Sequence, residues 1–450
     1  MNKIPVAITI AGSDSCGGAG IQADLKTFAA LGVHGATAIT AVTAQNTLEV
    51  RAIEAISPEV IRQQIAAVAE DLGIDAGKTG MLYSKAIIET VALEIAKYSF
   101  PIVVDPVMIS KSGAQLLEHE AIEALKKHLL PIATVITPNI NEAEELTGIK
   151  IEKLRDMEEA AKKIAKMGVE AVVIKGGHMH GSETIDVLYY QGEIQRLSSP
   201  RIDSRTTHGT GCSFSAAITA ELAKGKSIPE AVKEAKKLVT LSIKFGINIG
   251  RGYGPVNPMA NLYREAARHQ VLKNLEEAKK LIEASPNIVE LIPEVGMNIA
   301  MATPYASEVD DIAAIDGRIV RTTLGAKASG CPKFGCSRHL AKYLIEILKH
   351  DQRKRAAANI KYSEDILKLL ERRGLTISFY DRLKEPNDIK RVEGMSIPWG
   401  VKEAIMKVGK PPDVIYHKGD VGKEPMIVLF GSDATSIARL ILEIAENMSK

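Results

Sequence analysis

Short apolar runs alternate with longer amphipathic segments along the first half of the chain. Runs such as VAITIAG, IVVDPVM and TVITPN are rich in β-favouring residues and contain or end in turn formers, which predicts buried strands. The segment 58–73 between two such runs predicts a helix. Its apolar stripe would consist of Val60, Ile61, Ile65, Val68 and Leu72. This alternation predicts a three-layer α/β domain with a mostly parallel sheet.

The alternation stops at GINIGRGYGPVNP, where closely spaced glycines and prolines resist both helix and strand. The charged segment NLYREAARHQVLKNLEEAKKLIEA then predicts one helix that leads into a second unit. Apolar runs resume as MNIAMAT, LTISFY and PMIVLFG, with helices expected from Ser337 to His350 and from Asp433. We therefore predict a second, smaller α/β domain. The predicted bounds are 1–258 and 274–450, joined by a linker helix region at 259–273.

Composition narrows the possible partners. The chain has 450 residues, so two or three domains are expected, and its net charge of +2 does not favour binding to nucleic acid or to a membrane. The first apolar run is interrupted at Gly12, too early for a secretory segment or a spanning helix, which predicts a cytoplasmic protein. Four cysteines in so long a chain are too few for a disulfide framework.

The stretch THGTGCSFSAA has the form of an anion-binding helix start. Gly209 and Gly211 allow a tight turn, and an apolar helical pattern begins immediately afterwards. Free N–H groups at the start of a helix stabilise phosphate charge. The alternative is an ordinary strand-to-helix turn that holds a small buried thiol at Cys212.

Acidic and amide side chains follow two other predicted strands. VVDPVM places Asp105 at a strand end, and TPNINEAEELTG places Asn139 and Glu142 just after another. Ligands of open α/β sheets bind beyond these strand ends, and oxygen ligands suit Mg²⁺. Asp105 alone also fits a simple turn. The glycine-rich segment AGSDSCGGAGIQADLKT lacks the G-x-G-x-x-G spacing, so it predicts a close-fitting substrate turn rather than a dinucleotide site.

These motifs together resemble a known family. AGSDS.GGAGIQADLKT, TAQNT, KTGML, VVDPVM, TPN..EAE.L, KGGH and HGTGC stand in the order found in the ribokinase-like superfamily, and within it in the hydroxymethylpyrimidine and phosphomethylpyrimidine kinases of thiamine biosynthesis. The resemblance covers about residues 4–258 and departs at Cys16, where the family usually has Ser. It implies that ATP phosphorylates first the pyrimidine alcohol and then the resulting monophosphate, with Mg²⁺ as cofactor.

The resemblance also implies roles for single residues. Cys212, which follows the turn of Gly209 and Gly211, is the expected base for the substrate hydroxymethyl group. A helix N-terminus lowers a thiol pKa from about 8.5, so we expect a thiolate near neutral pH. Gln45 would pair with the pyrimidine edge, because an amide both donates and accepts. On its own Gln45 also fits a capping or loop amide.

The remaining kinase assignments rest on the resemblance alone. Gly12, Asp24 and Met81 would shape the pyrimidine pocket. Asp105 and Glu142 would bind Mg²⁺ directly or through water. The ATP site would contain Asn139, Lys175 and Thr210.

The second domain carries a basic, glycine-containing segment, IDGRIVRTTLGAKASGCPKFGCSRHLAKYLI. Arg318, Arg321, Arg338 and His339 stand in it near a predicted helix start, which fits either phosphate binding or scattered surface cations. Cys331 and Cys336 with one nearby His lack the paired spacing and the fourth ligand of a zinc site, so zinc is not expected.

NIAMATPYASEVDDIAAIDGRIVR, FGCSRHLAKYLI, DRLKEP and PDVIYHKGDVGKEPMIVLFG are similar to the archaeal-type thiamine-phosphate synthase domain over about residues 274–450. That likeness implies condensation of the pyrimidine diphosphate with a thiazole phosphate and release of pyrophosphate. Arg318, Arg321 and Arg338 would neutralise the leaving group, while His339 would bind phosphate or move a proton. The alternatives are a kinase with pyridoxal activity and a second domain that only senses thiamine phosphate. We expect a homo-oligomer, with a dimer favoured, and separable activities.

Overall fold

The chain folds into two compact units. The computed structural model describes residues 3–109, 113, 115–177, 181–392, 394–420 and 422–448, so His178 of the KGGH motif lies outside the described residues. Residue contacts divide the chain into Met1–Asn261 and Leu262–Lys450, here called unit 1 and unit 2. No helix in the described ranges is long and apolar enough to cross a bilayer.

Unit 1 is built on one large sheet. Its strands are β1 (Val6–Asp14), β2 (His34–Gln45), β3 (Val50–Ala55), β4 (Ala76–Thr79), β5 (Ile102–Val104), β6 (Val135–Ile136), β7 (Ala171–Ile174), β8 (Glu183–Tyr190) and β9 (Glu193–Pro200). Its helices are α1 (Gly20–Ala30), α2 (Pro58–Asp71), α3 (Lys85–Ile95), α4 (His119–Ala124), α5 (Ile140–Thr147), α6 (Leu154–Ala165), α7 (Thr210–Ala223) and α8 (Ile228–Lys244). The next helix, α9 (Ala260–Ala266), runs across the position where the units divide.

The sheet of unit 1 has the order β3-β2-β1-β4-β5-β6-β7-β8-β9. The strands from β2 to β7 in this order are parallel, and the edge strands β3, β8 and β9 are antiparallel. Val104 and Ile136 pack toward one helical layer, while Val103 and Val135 pack toward α7 and α8. The predicted three-layer α/β domain with a mostly parallel sheet is confirmed, and helices cover both faces of its central strands.

The apolar stripe of α2 is narrower than the sequence pattern predicts. Ile61 and Ile65 are fully buried against the sheet. Val60 and Leu72 are 46% and 47% exposed, so these two assignments to the buried stripe are wrong. The helix therefore lies against the sheet along a single narrow line of side chains.

Unit 2 contains a second sheet between helices. Its strands are β10 (Asn298–Ala302), β11 (Ile312–Ile315), β12 (Ile319–Thr322), β13 (Gly325–Ala328), β14 (Pro332–Phe334), β15 (Ala356–Lys361), β16 (Ile377–Phe379), β17 (Val414–His417) and β18 (Met426–Gly431). Its helices are α10 (Arg268–Glu283), α11 (Arg338–Leu348), α12 (Glu364–Arg372), α13 (Asn387–Lys390), α14 (Ser396–Val408) and α15 (Ala434–Met448).

The main sheet of unit 2 has the order β14-β11-β10-β15-β18-β17-β16, and β12 and β13 form a separate hairpin. Among the described strands of this sheet only β16 and β17 pair in parallel. Side chains alternate between its faces: Ala356 and Ala358 pack with α10 and α15, and Ala357 packs with α11 and α14. The second unit is α/β as predicted, with an antiparallel centre that distinguishes it from unit 1.

The predicted single helix after residue 260 is two helices, α9 and α10. The buried stripe of α10 starts at Val271 and continues through Leu275, Ala278 and Ile282, whereas Leu262 and Tyr263 of α9 are exposed. The single-helix prediction is wrong because the buried face does not run through both segments.

Candidate active site

A cleft of about 1360 Å³ opens in unit 1 beyond the carboxyl ends of β1, β4 and β5, next to the start of α7. It brings together most of the residues singled out in the sequence. Those that line it are Gly12, Gln45, Met81, Asp105, Asn139, Glu142, Lys175, Gly209, Thr210, Gly211 and Cys212. Asp24 does not line the cleft. This is the position at which open parallel sheets bind their ligands.

The turn before α7 is shaped by glycine. Gly209 precedes the helix with φ of 78°, and a Cβ there would lie 1.8 Å from the carbonyl oxygen of Gly18. A Cβ at Gly211 would lie 3.3 Å from Lys175 Nζ and 3.5 Å from Asp105 Oδ2. The hydroxyl of Thr210 donates to Thr207 O at 2.7 Å. The first amides of α7 therefore face the cleft without side chains in the way, as an anion site requires.

Cys212 lies in the first turn of α7. Burial raises the pKa of its thiol to about 11, and the negative charges of Asp24 and Asp105 act in the same direction. The positive charge of Lys78 and the backbone N–H of Gly20 oppose this rise without overcoming it. The expected thiolate near neutral pH is therefore wrong for the chain without substrates, because loss of hydration outweighs the helix N-terminus.

Asp105 and Lys175 form a nearly buried ion pair at the floor of the cleft. Lys175 Nζ donates to Asp105 Oδ1 at 3.0 Å, and their side chains are 17% and 2% exposed. The hydroxyls of Thr137 and Ser215 also donate to Asp105, at 3.2 and 3.4 Å. These contacts hold the carboxylate of Asp105 in one orientation, so it is more than a turn residue.

Asn139 and Glu142 form a capping box at the start of α5. Asn139 Oδ1 accepts from Glu142 N at 3.0 Å, and Glu142 Oε2 accepts from Asn139 N at 2.7 Å. Burial raises the pKa of Glu142 to about 7, Lys175 lowers it and Asp105 raises it. Both capping residues line the cleft. The two carboxylates that face this part of the cleft are the oxygen donors that Mg²⁺ prefers, so the donor set fits that ion.

A second polar network joins the glycine-rich turn after β1 to the loop before α7. Asp14 Oδ2 contacts His208 Nε2 at 2.9 Å and accepts from the amides of Gly18 and Ala19. Atoms of Asp14, Cys16 and His208 lie within 4.8 Å of one another. Since three donors already occupy Asp14 Oδ2, this group is a structural junction. Both Asp14 and His208 stand inside quoted motifs, yet sequence reasoning assigned them no role.

Gln45 lies beside this junction. Its Oε1 accepts from the hydroxyl of Thr43 at 3.2 Å, and its Nε2 lies 3.5 Å from His208 Nε2. Gly12 and Met81 form the neighbouring wall, since a Cβ at Gly12 would lie 3.1 Å from Met81 Sδ. A flat heterocycle that enters here would meet an amide edge and a flexible thioether.

Asp24 is held away from the cleft. Its side chain and that of Lys78 are both 0% exposed, and Lys78 Nζ donates to both carboxylate oxygens at 2.7 Å. Lys78 itself lines the cleft. The expectation that Asp24 shapes the pyrimidine pocket is therefore corrected: Asp24 reaches the cleft only through Lys78, a residue that sequence reasoning did not select.

In unit 2, His339 is surrounded by positive charge. Loss of hydration around its ring lowers the pKa of His339 to about 4. The positive charges of Arg318, Arg382, Lys423 and Lys342 lower it further. The residue as a whole is nevertheless exposed at the surface, in the first turn of α11. A histidine in such surroundings is neutral at pH 7, and the excess of cations favours a bound anion.

The three predicted arginines of unit 2 differ in position. The positive charge of Arg318 lowers the pKa of His339. The backbone of Arg318 has φ of 96°, and its guanidinium donates to the carbonyl of Val295. Arg321 directs its guanidinium to the carbonyl of Ile292, at 2.6 Å from Nη2. Arg338 is exposed at the first position of α11. Arg318 therefore acts on His339, whereas part of the Arg321 guanidinium is already hydrogen bonded to a backbone carbonyl.

Arg382 and His417 belong to the same cluster and were missed by sequence reasoning. Arg382 is 11% exposed, its Nε has no hydrogen bond partner among the described residues, and the nearest acid, Glu385, lies 3.9 Å away. Burial lowers the pKa of His417 to about 4, with Arg382 and His339 adding to this. Arg382 stands in the segment DRLKEP and His417 in IYHKG, and the likeness of these segments to the synthase domain could have identified both residues.

Aromatic rings form the base of this cluster. The hydroxyls of Tyr343 and Tyr380 lie 2.7 Å apart in the core, and burial raises both pKa values. The Tyr380 ring is 5.3 Å from that of His417 and 6.0 Å from that of Trp399, and His339 is 5.4 Å from Tyr343. Cations thus surround a buried aromatic base.

Comparison with known families agrees with the division into two units. Residues 14–257 match the family described as Phosphomethylpyrimidine kinase. Residues 274–443 match the family described as Thiamine-phosphate synthase ThiN.

Curated relatives cover unit 1. The chain is 51% identical over 256 residues to the hydroxymethylpyrimidine/phosphomethylpyrimidine kinase of Bacillus subtilis, which covers 56% of this chain and 94% of that protein. The Haemophilus influenzae protein of the same name is 51% identical over 265 residues, covering 58% and 98%. The thiamine biosynthesis bifunctional protein ThiED of Geobacter sulfurreducens is 45% identical, but the match covers only 51% of that protein and 56% of this chain.

Solved structures give the same fold for unit 1. Pyridoxal kinase from Bacillus subtilis in complex with ADP is 43% identical with a TM-score of 0.55, covering 58% of this chain and 99% of that one. Pyridoxal kinase from Staphylococcus aureus with AMP-PCP and pyridoxal is 37% identical with a TM-score of 0.54, covering 58% and 95%.

Proposed function

Since the chain belongs to the phosphomethylpyrimidine kinase family, we propose that unit 1 transfers phosphoryl groups from ATP to hydroxymethylpyrimidine and then to its monophosphate. The chain is a thiamine biosynthesis enzyme that joins this kinase to a thiamine-phosphate synthase domain. The observation that carries the kinase assignment is the cleft in which Cys212, the Asp105–Lys175 pair and the start of α7 meet.

The phosphates of ATP would lie against the first turn of α7. The N-terminus of α7 would stabilise negative charge there, and Lys175, which also lines the cleft, would add a full positive charge. Asp105 and Glu142 would hold Mg²⁺, which when bound neutralises phosphate charge. Asn139 fixes the orientation of Glu142 through the capping box. Transfer then depends on position and charge rather than on covalent chemistry of the protein.

The pyrimidine would lie between Gln45 and Met81, with its hydroxymethyl group toward Cys212. Sulfur would take the hydroxyl proton as the oxygen attacks the γ-phosphorus, and ADP would leave. Because burial raises the pKa of Cys212 to about 11, the thiol keeps its proton in the chain without substrates. Base action therefore requires positive charge near sulfur during the reaction.

Unit 2 would condense the diphosphate with a thiazole phosphate. The thiazole nitrogen would attack the pyrimidine methylene carbon, and the carbon–oxygen bond to pyrophosphate would break. Arg318 and Arg382 would stabilise the departing charge, since both act on His339 from the cation cluster. A neutral His339 can donate or accept a hydrogen bond at a phosphate oxygen.

Product analysis tests both reactions at once. The purified full chain receives Mg-ATP, hydroxymethylpyrimidine and the thiazole phosphate, and products are identified by mass spectrometry. We expect thiamine phosphate. If pyrimidine diphosphate accumulates without thiamine phosphate, unit 2 is a sensor rather than a synthase. The absence of any phosphorylated pyrimidine would refute the kinase assignment.

The base assignment has its own test. Cys212→Ser and Cys212→Ala should each lower kinase turnover by about 10² to 10⁴, the usual contribution of a general base. Cys16→Ser is the matched control, because Cys16 lies outside the lining of the cleft. Full turnover in a folded Cys212→Ala protein would exclude sulfur as the base.

Pyridoxal is a second candidate substrate, favoured by the likeness of unit 1 to two pyridoxal kinases. Competition decides between them: with both heterocycles present, we expect phosphorylation of the pyrimidine to dominate, because polar groups matched to one ring stay unpaired against another. A larger kcat/KM for pyridoxal would reverse the assignment. The homo-oligomer and the cytoplasmic location stay predictions, and light scattering in solution tests the former.

A further inference from the structure

A fully buried ion pair lies behind the kinase cleft without a role in the mechanism so far. Lys78 of β4 and Asp24 of α1 are each 0% exposed, and two 2.7 Å contacts join Lys78 Nζ to the Asp24 carboxylate. The hydroxyl of Thr9 donates to Asp24 Oδ2 at 2.7 Å. Burying two charges costs more free energy than apolar packing of the same volume, so stability alone does not explain the pair.

The position of Lys78 supplies a reason. Lys78 is among the residues that line the same cleft as Cys212, and its ammonium group lies just beneath the cleft surface beside Gly80, where a Cβ would be 3.4 Å from Lys78 Nζ. An ammonium group has three hydrogens, and two hydrogen bonds go to Asp24. The third has no acceptor among the described residues. Lys78 thus holds a fixed positive charge just beneath the floor of the cleft.

Four charged groups act on the sulfur of Cys212 or on its neighbours. Lys78 and Lys175 favour a negatively charged sulfur, and Asp24 and Asp105 oppose it. Of these charges, that of Lys78 has the largest influence on Cys212. Lys175 is bonded to Asp105, an expected metal ligand, which leaves Lys78 as the cation that is not bonded to those ligands.

We propose that Lys78 is a positioning residue for Cys212: its ammonium group, held by Asp24, which Thr9 in turn orients, stabilises negative charge on the sulfur that accepts the substrate proton. In the step itself, the hydroxyl proton moves to sulfur, the substrate oxygen bonds to the γ-phosphorus, and the bond to the ADP oxygen breaks. Asp24 keeps Lys78 charged and in place. This role presupposes the kinase activity proposed above.

The test separates charge from packing. Lys78→Met alone would leave Asp24 buried without a partner, so the main variant is the neutral pair Lys78→Met with Asp24→Asn, which has similar volume. We expect this full-length protein to fold, to keep KM for both substrates within about threefold, and to lose about 100-fold in kcat, as when one preorganised charge is removed. Lys97→Met with Glu94→Gln, a pair outside the cleft, should keep kcat.

A second readout needs no turnover. Alkylation of Cys212 by iodoacetamide is followed against pH by site-resolved mass spectrometry, without nucleotide or metal. The neutral pair should move the Cys212 profile to higher pH, and Asp24→Asn alone should move it to lower pH, because it removes a negative charge and leaves Lys78. Unchanged kcat in the folded neutral pair, or an Asp24→Asn profile that does not move down, would overturn the role of Lys78.

Failure of this role is distinguishable from failure of the kinase assignment. If wild-type protein phosphorylates no pyrimidine, the kinase assignment itself is lost. If wild-type protein is active and Cys212→Ala is inactive while the neutral pair keeps full kcat, only the role of Lys78 is lost. If the neutral pair does not fold, the opposite shifts expected for Asp24→Asn and for Lys78→Gln in the alkylation profile decide the question.

Discussion

The cleft of unit 1 places an acid beside each of three cations, whereas the cluster of unit 2 gathers cations around two histidines. Lys78, Lys175 and Lys236 contact Asp24, Asp105 and Asp186 at 2.7, 3.0 and 2.8 Å. In unit 2, Arg318, Lys342, Arg382 and Lys423 all act on His339. The nearest acid to Arg382 in the described chain, Glu385, is 3.9 Å away.

This difference matches the substrates. The first acceptor of unit 1, the pyrimidine alcohol, is neutral, and ATP would arrive with its own cation, so unit 1 can balance its charges before these two substrates bind. Both substrates of unit 2 would carry phosphate, and their negative charge would offset the excess of cations around His339. Charges in unit 1 should therefore behave as pairs, and charges in unit 2 should respond to anions.

The largest effect is expected from unpairing a charge in unit 1. Asp105→Asn should lower kinase kcat by about 10³, because Lys175 loses its partner and the expected Mg²⁺ site loses a carboxylate. Synthase turnover, assayed with supplied pyrimidine diphosphate, should be unchanged in the same protein. Equal loss in both assays would point to general unfolding, and unchanged kinase turnover would remove Asp105 from the site.

The next effect belongs to unit 2. Arg382→Gln should lower synthase turnover by about 10², because a nearly buried guanidinium no longer stabilises the leaving pyrophosphate. Kinase turnover should not change. Arg353→Gln is the matched control, since Arg353 is 89% exposed and pairs with Asp351 at the surface. A synthase rate equal to that of the control would contradict the role of Arg382.

Low pH should lower the unfolding free energy of unit 2 through protonation of His417. Its folded pKa of about 4 lies below the unfolded value of about 6.5, so the unfolded chain binds the proton first and stability falls as pH drops from about 6.5 toward 4. At pH 5 the loss is about 2 kcal/mol. The chain has one tryptophan, Trp399 in unit 2, so urea unfolding followed by its fluorescence reports this unit. His339 also has a pKa of about 4 and adds its own loss, so His417→Asn should make the pH dependence shallower without abolishing it. An equally steep curve would contradict the contribution of His417.

The smallest effect tests the response to anions. Pyrophosphate at ten times its Kd should raise the unfolding free energy reported by Trp399 by about 1.4 kcal/mol. Arg382→Gln should shrink this increase, and sulfate at equal ionic strength should give less of it. If pyrophosphate does not increase the unfolding free energy, the cation cluster is not an anion-binding site.

The sequence predicted the architecture of unit 1 well because buried parallel strands and their glycine-rich ends have strong local patterns. It did not suggest β15, the central strand of unit 2, whose residues AAANIK include three alanines that favour helix in isolation. Burial of Ala356 to Ala358 between two helical layers overrides that preference. The antiparallel order of this sheet could not be predicted either, because its strands pair with segments that are distant in the sequence.

Most kinase residues selected from the motifs line the cleft, Asp24 being the exception, but the motifs did not give the electrostatics of these residues. Asp24 was expected at the pyrimidine, and its pairing with Lys78 across 54 positions depends on the fold. The pKa of Cys212 depends on burial that no helix start reveals. Arg382 and His417 meet His339 only because three distant segments converge.

The close backbone contacts of the glycine turns have a consequence for redesign of the kinase. A Cβ at Gly209 would lie 1.8 Å from Gly18 O, and a Cβ at Gly20 would lie 2.3 Å from Gly12 O. The loop expected to bind phosphate and the loop expected to bind the pyrimidine are therefore in close backbone contact and cannot change conformation independently. Attempts to evolve a new acceptor specificity will find the walls at Gln45 and Met81 adjustable, whereas any library that varies one loop backbone must vary the other with it.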